Sequence, residues 1–263
     1  MDDETARALN DLNLGFYRDH AAEFSASRAR PWRGWNRLLA WIPDTGGLSL
    51  LDVGCGNGRF GRFLAGHRAL ARYVGVDASA PLLAIARADA PAAAHVDWIE
   101  TDFVVAPPDR VLPAGRFDLA VLFGVLHGVP GRERRRALLE AVATRLAPGG
   151  LLAFTCFRFA EDARLAGRSL PWDRARGALP GCAIDPSRLD PGDHLLPWGA
   201  DPCVLRYGAS IDDGERAWLA SDLPLEPVAE FRDDGATTAL NHYVLLRKPP
   251  APDPSLPPAG SRA

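Results

Sequence analysis

Lysine is almost absent from this chain: Lys248 is the only one, so nearly all of the positive charge is carried by arginine. The chain has 30 basic and 33 acidic residues. The resulting formal net charge of -3 excludes a protein whose whole surface is positively charged. A local basic face remains compatible with this balance. Unlike lysine, arginine binds carboxylates and phosphates through two parallel hydrogen bonds.

Long hydrophobic runs are also missing, and cysteine is scarce. No run of 18 apolar residues predicts a membrane span, and the acidic start MDDETARALND lacks the apolar segment of a signal peptide. The cysteines form no C-x-x-C pair, so we expect no metal site and no disulfide framework. We therefore predict a cytoplasmic protein without membrane contact. The four cysteines are Cys55, Cys156, Cys182 and Cys203.

The most informative stretch is residues 48–63, LSLLDVGCGNGRFGRF. A short apolar run, typical of a buried strand, is followed by glycines at alternate positions and then by an amphipathic helical pattern. This order is typical of a nucleotide-binding α/β unit, in which glycines let the backbone approach the ligand. A dinucleotide fingerprint would require glycine at position 59, which is Arg59. Asp52 and the glycines instead form D-x-G-x-G-x-G; a plain tight turn is the alternative interpretation.

Further predicted strands end at candidate ligand residues. The segment 72–79, RYVGVDAS, ends near Asp77, whose two carboxylate oxygens suit the two hydroxyls of a ribose. The segment 96–103, VDWIETDF, ends at Asp102 and Phe103, and 117–129 is a nearly unbroken apolar run. Because the carboxyl ends of parallel strands meet at one edge of a sheet, these residues are expected to share a site.

The order of the elements predicts a fold and three domain regions. The β–α alternation over 48–157, closed by PVAEFRDD and NHYVLLRK, predicts an α/β, doubly wound, mostly parallel sheet with an antiparallel closing strand. Residues 1–47 are expected to form a helical segment, broken at Arg30-Pro31, that covers the site. Residues 48–248 form the main domain, with a loop or lid inserted at about 158–203. The Pro-rich tail 249–263 is expected to be disordered.

The segment LDVGCGNGRF resembles motif I of the class I S-adenosylmethionine-dependent methyltransferases. The resemblance implies a Rossmann-like sheet and S-adenosyl-L-methionine as the cofactor. It also implies that Asp102 faces the adenine amino group and that Phe103 packs on the adenine ring. The cofactor-binding residues expected on this basis are Asp52, Gly54, Gly56, Asn57, Gly58, Asp77, Ala78, Asp102, Phe103 and Phe123.

The flanking segments resemble a narrower group within that family. FYRDHAAEFSASRARPW is similar to the N-terminal signature of tRNA methyltransferases that esterify carboxymethyluridine at the wobble position, and GDHLLPW, LRY and LNHYVLLRK resemble later segments of these enzymes. The resemblance implies tRNA as a partner, and a small zinc-binding activator subunit is a further possible partner. The chain departs from the pattern at His127-Gly128, where the group often has paired histidines, and in the insert 158–192.

The candidate acceptor residues follow from the chemistry of methyl transfer. A carboxylate is already ionised at neutral pH and needs donors that hold one oxygen toward the methyl group, for which Arg28 and Arg206 are the candidates. An amine or hydroxyl acceptor would require a general base, His127 first and Asp193 second. The remaining residues expected to line the acceptor site are Tyr17, Trp32, Asp193 and Trp198.

Three functions remain open from the sequence. The first is methylation of a modified wobble uridine in tRNA. The second is methylation of a small metabolite beneath the 158–203 loop, which the net charge of -3 favours. The third is a non-catalytic partner protein that binds S-adenosylmethionine. The arginine-rich run 132–136 is interpreted as a solvated helix start that could also meet tRNA phosphates.

Overall fold

The computed structural model describes residues 1–44, 46–177, 184–199 and 201–251. Its main feature is a seven-stranded sheet with the strand order β3-β2-β1-β4-β5-β9-β8. The first five strands run parallel to one another, and β9 pairs antiparallel with both β5 and β8. The sheet strands are β1 Leu48–Val53, β2 Leu70–Asp77, β3 Ala93–Glu100, β4 Phe117–Leu122, β5 Leu146–Phe157, β8 Glu226–Asp233 and β9 Asn241–Arg247. The expected doubly wound sheet with an antiparallel closing strand is confirmed.

Helices cover both faces of the sheet and bury its central strands. Their bounds are α1 Asp3–Ala26, α2 Arg33–Leu38, α3 Arg59–Ala65, α4 Ala80–Ala88, α5 Pro108–Val111, α6 Arg132–Thr144, α7 Ala163–Ala166 and α8 Asp213–Ala220. One core cluster packs α6 and α8 on one face of the sheet, and a second packs α2 and α3 on the other. The continuous apolar runs of β1 and β4 follow from this two-sided burial.

The N-terminal helix is longer and better packed than its polar sequence indicates. The helix α1 is capped by Asp2, whose carboxylate accepts from the Thr5 N–H, and a kink at His20 lies within it. The expected break near Arg30-Pro31 corresponds to the gap between α1 and α2. No helix of the described residues is long and apolar enough to span a membrane.

The predicted end of the fourth strand was wrong. The run 117–129 is not all strand: β4 ends at Leu122, Gly124 has a φ of +71°, and a turn of 3-10 helix follows at Leu126–Gly128. This bend turns the backbone after β4 into the site described below. The helix α6, which begins with the arginine-rich run, ends at Thr144, and β5 begins at Leu146.

The insert contains a second sheet that the sequence analysis did not find. Strands β6 Asp193–Trp198 and β7 Asp201–Ala209 pair antiparallel, and the expected short strand at VLRYGAS forms part of β7. The sheet packs against α1 through a small core that includes Leu9, Leu12 and Leu195. Most of the Pro-rich tail lies outside the described residues.

Candidate active site

A cavity lies at the carboxyl ends of the parallel strands, beneath α1. Its walls come from α1, from the glycine loop after β1, from the turns after β2, β3 and β4, and from β7 of the insert. Thirteen of the seventeen predicted site residues line it: Tyr17, Arg28, Trp32, Gly54, Gly56, Asn57, Asp77, Ala78, Asp102, Phe103, Phe123, His127 and Arg206.

The glycine loop has the geometry of a ligand cradle. Gly54, Gly56 and Gly58 have φ values of +67°, +54° and +74°, a region that residues with a side chain rarely adopt. A Cβ at Gly54 would lie 2.4 Å from Val125, whereas one at Gly56 would meet no atom within 4 Å. The backbone at Gly56 therefore faces open space.

Asp77 ties this loop to the end of β2. Its Oδ2 accepts from the Gly56 N–H at 2.8 Å, and its Oδ1 accepts from the Ser79 N–H at 2.9 Å. Burial raises the pKa of this carboxyl, and the two N–H groups oppose the rise. Each oxygen retains acceptor capacity, so the carboxylate fits the two hydroxyls of a ribose.

Asp52 and Gly58 do not line the cavity. Asp52 is buried below the loop, where its Oδ2 accepts from the Tyr73 hydroxyl at 2.9 Å, and burial raises its pKa to about 7. Gly58 is the N-cap of α3, and a Cβ there would lie 3.1 Å from Trp98. Both residues support the glycine loop on the side away from the cavity, so we do not assign them a direct ligand contact.

The carboxylate of Asp102 is held from two sides. It lies two residues beyond β3, where its Oδ1 accepts from the Val104 N–H at 2.8 Å and its Oδ2 accepts from the Asn10 side-chain amide at 2.6 Å. The second bond joins α1 to the turn after β3. At the other end of α1, the Asn57 amide donates to Ser25 Oγ at 2.8 Å. The helix is thus hydrogen-bonded to both sides of the cavity.

Three arginines line the cavity without a carboxylate oxygen within 4.0 Å among the described residues. The Arg28 guanidinium lies 3.5 Å above the Phe24 ring, and Arg206 Nε is buried without a hydrogen-bond partner. The third is Arg59, which stacks on Trp32 and Trp35. Burial lowers the pKa of Arg28 and of Arg59 to about 10, and the Arg206 charge adds to the effect on Arg28.

His127 is neutral at physiological pH in this setting. Burial, with the charges of Arg206, Arg28 and Arg135, lowers its pKa to about 3. Its Nδ1 is buried and has no hydrogen-bond partner in the described chain, while its ring lies 4.9 Å from that of Phe157. Within the described residues, no carboxylate lies within 4.0 Å of the imidazole to orient it as a general base.

Asp193 and Trp198 were predicted to bind the acceptor, but neither lines the cavity. Asp193 accepts from the Tyr207 hydroxyl at 2.6 Å and from the Asp190 N–H at 2.8 Å, so its carboxylate is occupied inside the insert. Trp198 packs against Phe16, with ring centroids 5.2 Å apart, behind α1. Their neighbour in sequence, Arg206, does reach the cavity because it lies on the strand that pairs with β6.

Sequence reasoning missed several residues of the site. Asn10 and Asn13 lie three residues apart on one face of α1, and the Asn13 amide donates to the Gly128 carbonyl while its oxygen accepts from the Tyr207 N–H. Their only signal was two asparagines at helical spacing in a polar stretch. Arg59 had a clearer signal, since it replaces the third glycine of the dinucleotide fingerprint.

The described residues contain no group of three or more His, Cys, Asp or Glu placed to hold a metal ion. The buried cavity groups are instead arginines, aromatic rings and single carboxylates. This set fits a nucleoside-bearing organic ligand with hydroxyl and ring surfaces better than an ion.

Comparison with known proteins agrees with this architecture. A family model described as "Methyltransferase domain" matches residues 51–152. The chain is 33% identical over 145 residues to trans-aconitate 2-methyltransferase of Paracidovorax citrulli, covering 55% of this chain and 50% of that protein. It is also 33% identical over 134 residues to a tRNA (carboxymethyluridine(34)-5-O)-methyltransferase of Xenopus tropicalis, covering 51% of this chain and 19% of the relative. The chain thus spans half or less of the length of these relatives.

Solved structures share the fold at low sequence identity. An N-methyltransferase of Bradyrhizobium japonicum in complex with S-adenosyl-L-homocysteine has a TM-score of 0.56 and 20% identity, covering 92% of this chain and 98% of that one. A methyltransferase in complex with the Trm112 activator of Haloferax volcanii has a TM-score of 0.60 and 16% identity, covering 90% and 97%. With the glycine loop, Asp77 and the strand order, these matches show that the chain has the fold of the class I S-adenosylmethionine-dependent methyltransferases and that residues 51–152 match a methyltransferase domain.

Proposed function

We propose that this chain is an S-adenosylmethionine-dependent methyltransferase that converts a carboxylate into its methyl ester. The observation that carries the proposal is the pair Arg28 and Arg206, two guanidinium groups that line the cavity without a carboxylate partner in the described structure. Burial lowers the pKa of both guanidinium groups, and the charge of Arg206 lowers that of Arg28 further. Two desolvated cations in one cavity favour an anionic ligand.

The cofactor half of the cavity is assigned by chemistry. Asp77 would accept from the ribose hydroxyls, the loop at Gly54 and Gly56 would approach the methionine part, and Phe103 would cover the adenine ring. Bound S-adenosylmethionine supplies a sulfonium methyl group, whose bond to sulfur breaks as the acceptor oxygen bonds to carbon and the electron pair returns to sulfur. Asp102, which Asn10 orients, would face the adenine amino group.

No proton has to move in this reaction, which agrees with the state of His127. A carboxylic acid with a pKa near 4 is already ionised at neutral pH. A histidine whose pKa is lowered to about 3 remains neutral over the same range. His127 therefore serves as an uncharged wall of the acceptor site, and the contribution of the enzyme is to orient the acceptor and exclude water.

The arginine clamp should act mainly on binding. The carboxylate loses its negative charge as the ester forms, so its attraction to Arg28 and Arg206 is strongest before the transition state. Interactions that are not strengthened in the transition state lower KM without raising kcat. The same loss of charge weakens the hold on the neutral ester and helps product release.

A small carboxylic acid is the acceptor that we favour. Trans-aconitate is a tricarboxylic acid. The match to the relative named for it spans 50% of that relative's length, whereas the match to the tRNA enzyme spans 19%. The arginine run 132–136, a candidate for phosphate contact, is engaged within the protein instead: Arg134 pairs with Asp3, Arg135 is buried, and Arg136 pairs with Glu140. The net charge of -3 points the same way.

Carboxymethyluridine in tRNA is the second candidate. Its support is that Tyr17, Arg28, Trp32 and Arg206, which belong to the segments resembling the wobble-uridine enzymes, meet in one cavity. This acceptor is also a carboxylate, so the arginine clamp serves both candidates. A small activator subunit, as in the structure from Haloferax volcanii, belongs to this second proposal.

The test uses methyl-labelled S-adenosylmethionine with two acceptors, trans-aconitate and bulk tRNA from cells that lack the protein. Label that mild base releases identifies a methyl ester and supports the proposal, and the acceptor that carries it identifies the source. Base-stable label would mean transfer to nitrogen, carbon or an ether oxygen. It would contradict the proposal that Arg28 and Arg206 hold a carboxylate acceptor. Tight cofactor binding without label on any acceptor would favour a non-catalytic partner protein.

A further inference from the structure

From the third arginine of the cavity we infer that the acceptor carries a second anionic group, and that Arg59 binds this group while Arg28 and Arg206 hold the carboxylate to be methylated. The inference rests on the proposed function and narrows it to dianionic or polyanionic acids. It assigns a specificity-determining role to the residue that replaces a glycine of the dinucleotide fingerprint.

The surroundings of Arg59 leave most of its donors free. Its guanidinium carbon lies 4.7 Å from the ring centroid of Trp32 and 5.0 Å from that of Trp35, so two aromatic faces support it. Its Nη1 donates to the Arg30 carbonyl at 3.3 Å, the one hydrogen bond of this side chain among the described residues. A guanidinium has five N–H donors. Arg59 is one of the residues that line the cavity.

Arg59 packs on a different part of the protein from Arg28 and Arg206. Arg28 rests on Phe24 and Arg206 extends from β7, whereas Arg59 projects from the start of α3 onto the tryptophans of the α2 segment. The charge of Arg59 still reaches Arg28, since it contributes to lowering the pKa of that residue. A single carboxylate has two oxygens, and one arginine can occupy both in a bidentate pair. Three arginines around one cavity therefore match more than one anionic group.

Aromatic support favours a ligand role over a purely structural one. Contact with two aromatic faces restricts the orientation of a guanidinium, while its N–H donors stay available for a planar anion. Two carboxylates that raise the pKa of Arg59, Asp234 and Asp52, act at a distance and form no ion pair with it within 4.0 Å in the described chain. An anion in the cavity would complete the coordination that these residues leave open.

The second anion should behave differently from the first during catalysis. The carboxylate that accepts the methyl group loses its charge, but the group at Arg59 keeps its charge throughout. Its contribution is then equal in the ground state and the transition state, which changes KM and leaves kcat nearly constant. This split separates a binding role of Arg59 from a structural one, which would also lower kcat and cofactor affinity.

The experiment compares matched acceptors on wild type, Arg59→Gln and Arg59→Lys. One pair is trans-aconitate and crotonate, an unsaturated acid with a single carboxylate; the other is 5-carboxymethyluridine 5′-monophosphate and its nucleoside. We expect wild type to prefer the polyanion of at least one pair by about 10-fold to 100-fold in kcat/KM, the range for hydrogen bonds to a charged group. Arg59→Gln should abolish that preference through KM alone, and Arg59→Lys should restore part of it.

The matched control is Arg87→Gln, an exposed arginine in the last turn of α4, and cofactor affinity is measured by calorimetry for every variant. Preference in the first pair identifies a small polycarboxylate, and preference in the second identifies a nucleotide. If Arg59→Gln lowered kcat/KM equally for monoanionic and polyanionic acceptors, the inference would be wrong, but the proposal of ester formation would stand. If no acid of either pair is methylated although the cofactor binds, the proposed function itself fails.

Discussion

At the scale of single residues, His127 decides between two kinds of acceptor chemistry. Because its pKa is lowered to about 3, it stays neutral above pH 4, and a carboxylate acceptor needs no base. We expect kcat/KM to be flat between about pH 7 and 9 and to fall as the pH approaches about 10, where Arg28 and Arg59 begin to lose their charge. A pH–rate profile measures this directly.

The variant His127→Asn sharpens that prediction. It should lower kcat/KM by less than about 10-fold, because loss of a true general base costs roughly 100-fold to 10,000-fold. The shape of the profile should remain unchanged. An ascending limb near pH 6 to 7 in wild type that disappears in His127→Asn would show that the histidine takes a proton and that the acceptor is an amine or hydroxyl.

Asp52 yields a prediction for stability. Its pKa is raised by burial to about 7, so the folded state binds a proton that the unfolded state releases near pH 4. Its ionisation therefore costs the native protein stability as the pH rises from about 4 to 7, and that loss is complete above pH 7. Asp52→Asn should melt several degrees higher than wild type at pH 8, with the difference shrinking toward pH 5.

Thermal unfolding of the cofactor-free protein at the two pH values measures this effect. Asn retains an acceptor oxygen for the Tyr73 hydroxyl, so the hydrogen bond survives the substitution. Asp118→Asn, which removes an exposed carboxylate from β4, is the matched control. A higher melting temperature of wild type at pH 8 would mean that Asp52 is held as a paired anion.

The residues of the site differed in how well they could be predicted. The glycines and Asp77 follow from local rules, because positive φ and a strand-end carboxylate both have signals in the sequence. Asp193 fails because its carboxylate is taken by Tyr207, a contact between two strands whose pairing the sequence did not reveal. Asn10 reaches Asp102 across 92 positions, and no local pattern reports such a contact.

At the scale of elements, the small sheet β6–β7 brings Arg206 to the cavity. The buried side chain of Arg135 holds this sheet in place. The Arg135 side chain is 1% exposed; its Nε donates to Glu215 on α8 at 2.7 Å, and its Nη1 donates to the Tyr207 hydroxyl on β7 at 3.3 Å. The Tyr207 N–H in turn donates to Asn13 of α1. Arg135 thus joins α6, α8 and the insert.

Arg135→Ala should destabilise the protein by about 3–5 kcal/mol, because it removes a buried charge network and leaves the partly buried Glu215 carboxylate without its partner. Urea unfolding followed by circular dichroism measures the change. Arg132→Ala in the same helix is the control: that side chain is half-exposed over Trp218, and we expect a loss of about 1 kcal/mol or less. Equal losses in the two variants would contradict the network.

The elements also show where a pattern is insufficient. Periodicity predicted the central strands and the closing pair because each is buried on both faces or alternates in a regular way. The strand β6 contains Pro197 and lies in a segment rich in Pro, Gly and Asp, so it was interpreted as loop. Its pairing with β7 and its packing on α1 are tertiary effects that override local propensity.

At the scale of the whole molecule, the distribution of arginine separates the two acceptor candidates. Among the described residues, many surface arginines pair with neighbouring acids, as in Arg18–Asp19, Arg188–Asp2 and Arg216–Glu230. If the protein bound tRNA through six to ten phosphates, raising the salt concentration from 50 to 200 mM would lower its affinity for tRNA by roughly 1,000-fold to 100,000-fold. A small acid held inside a cavity is screened much less.

We therefore expect kcat/KM for a small polycarboxylate to fall by less than about 10-fold over that salt range. Initial rates with trans-aconitate and with bulk tRNA at both salt concentrations make the comparison, and Arg87→Gln tests whether an exposed arginine outside the cavity contributes. A steep salt dependence that is seen only with tRNA, and that is less steep in Arg87→Gln than in wild type, would show that the outer surface takes part in recognition. The acceptor would then be the wobble nucleotide, and the same three cavity arginines would hold its carboxylate and its phosphate.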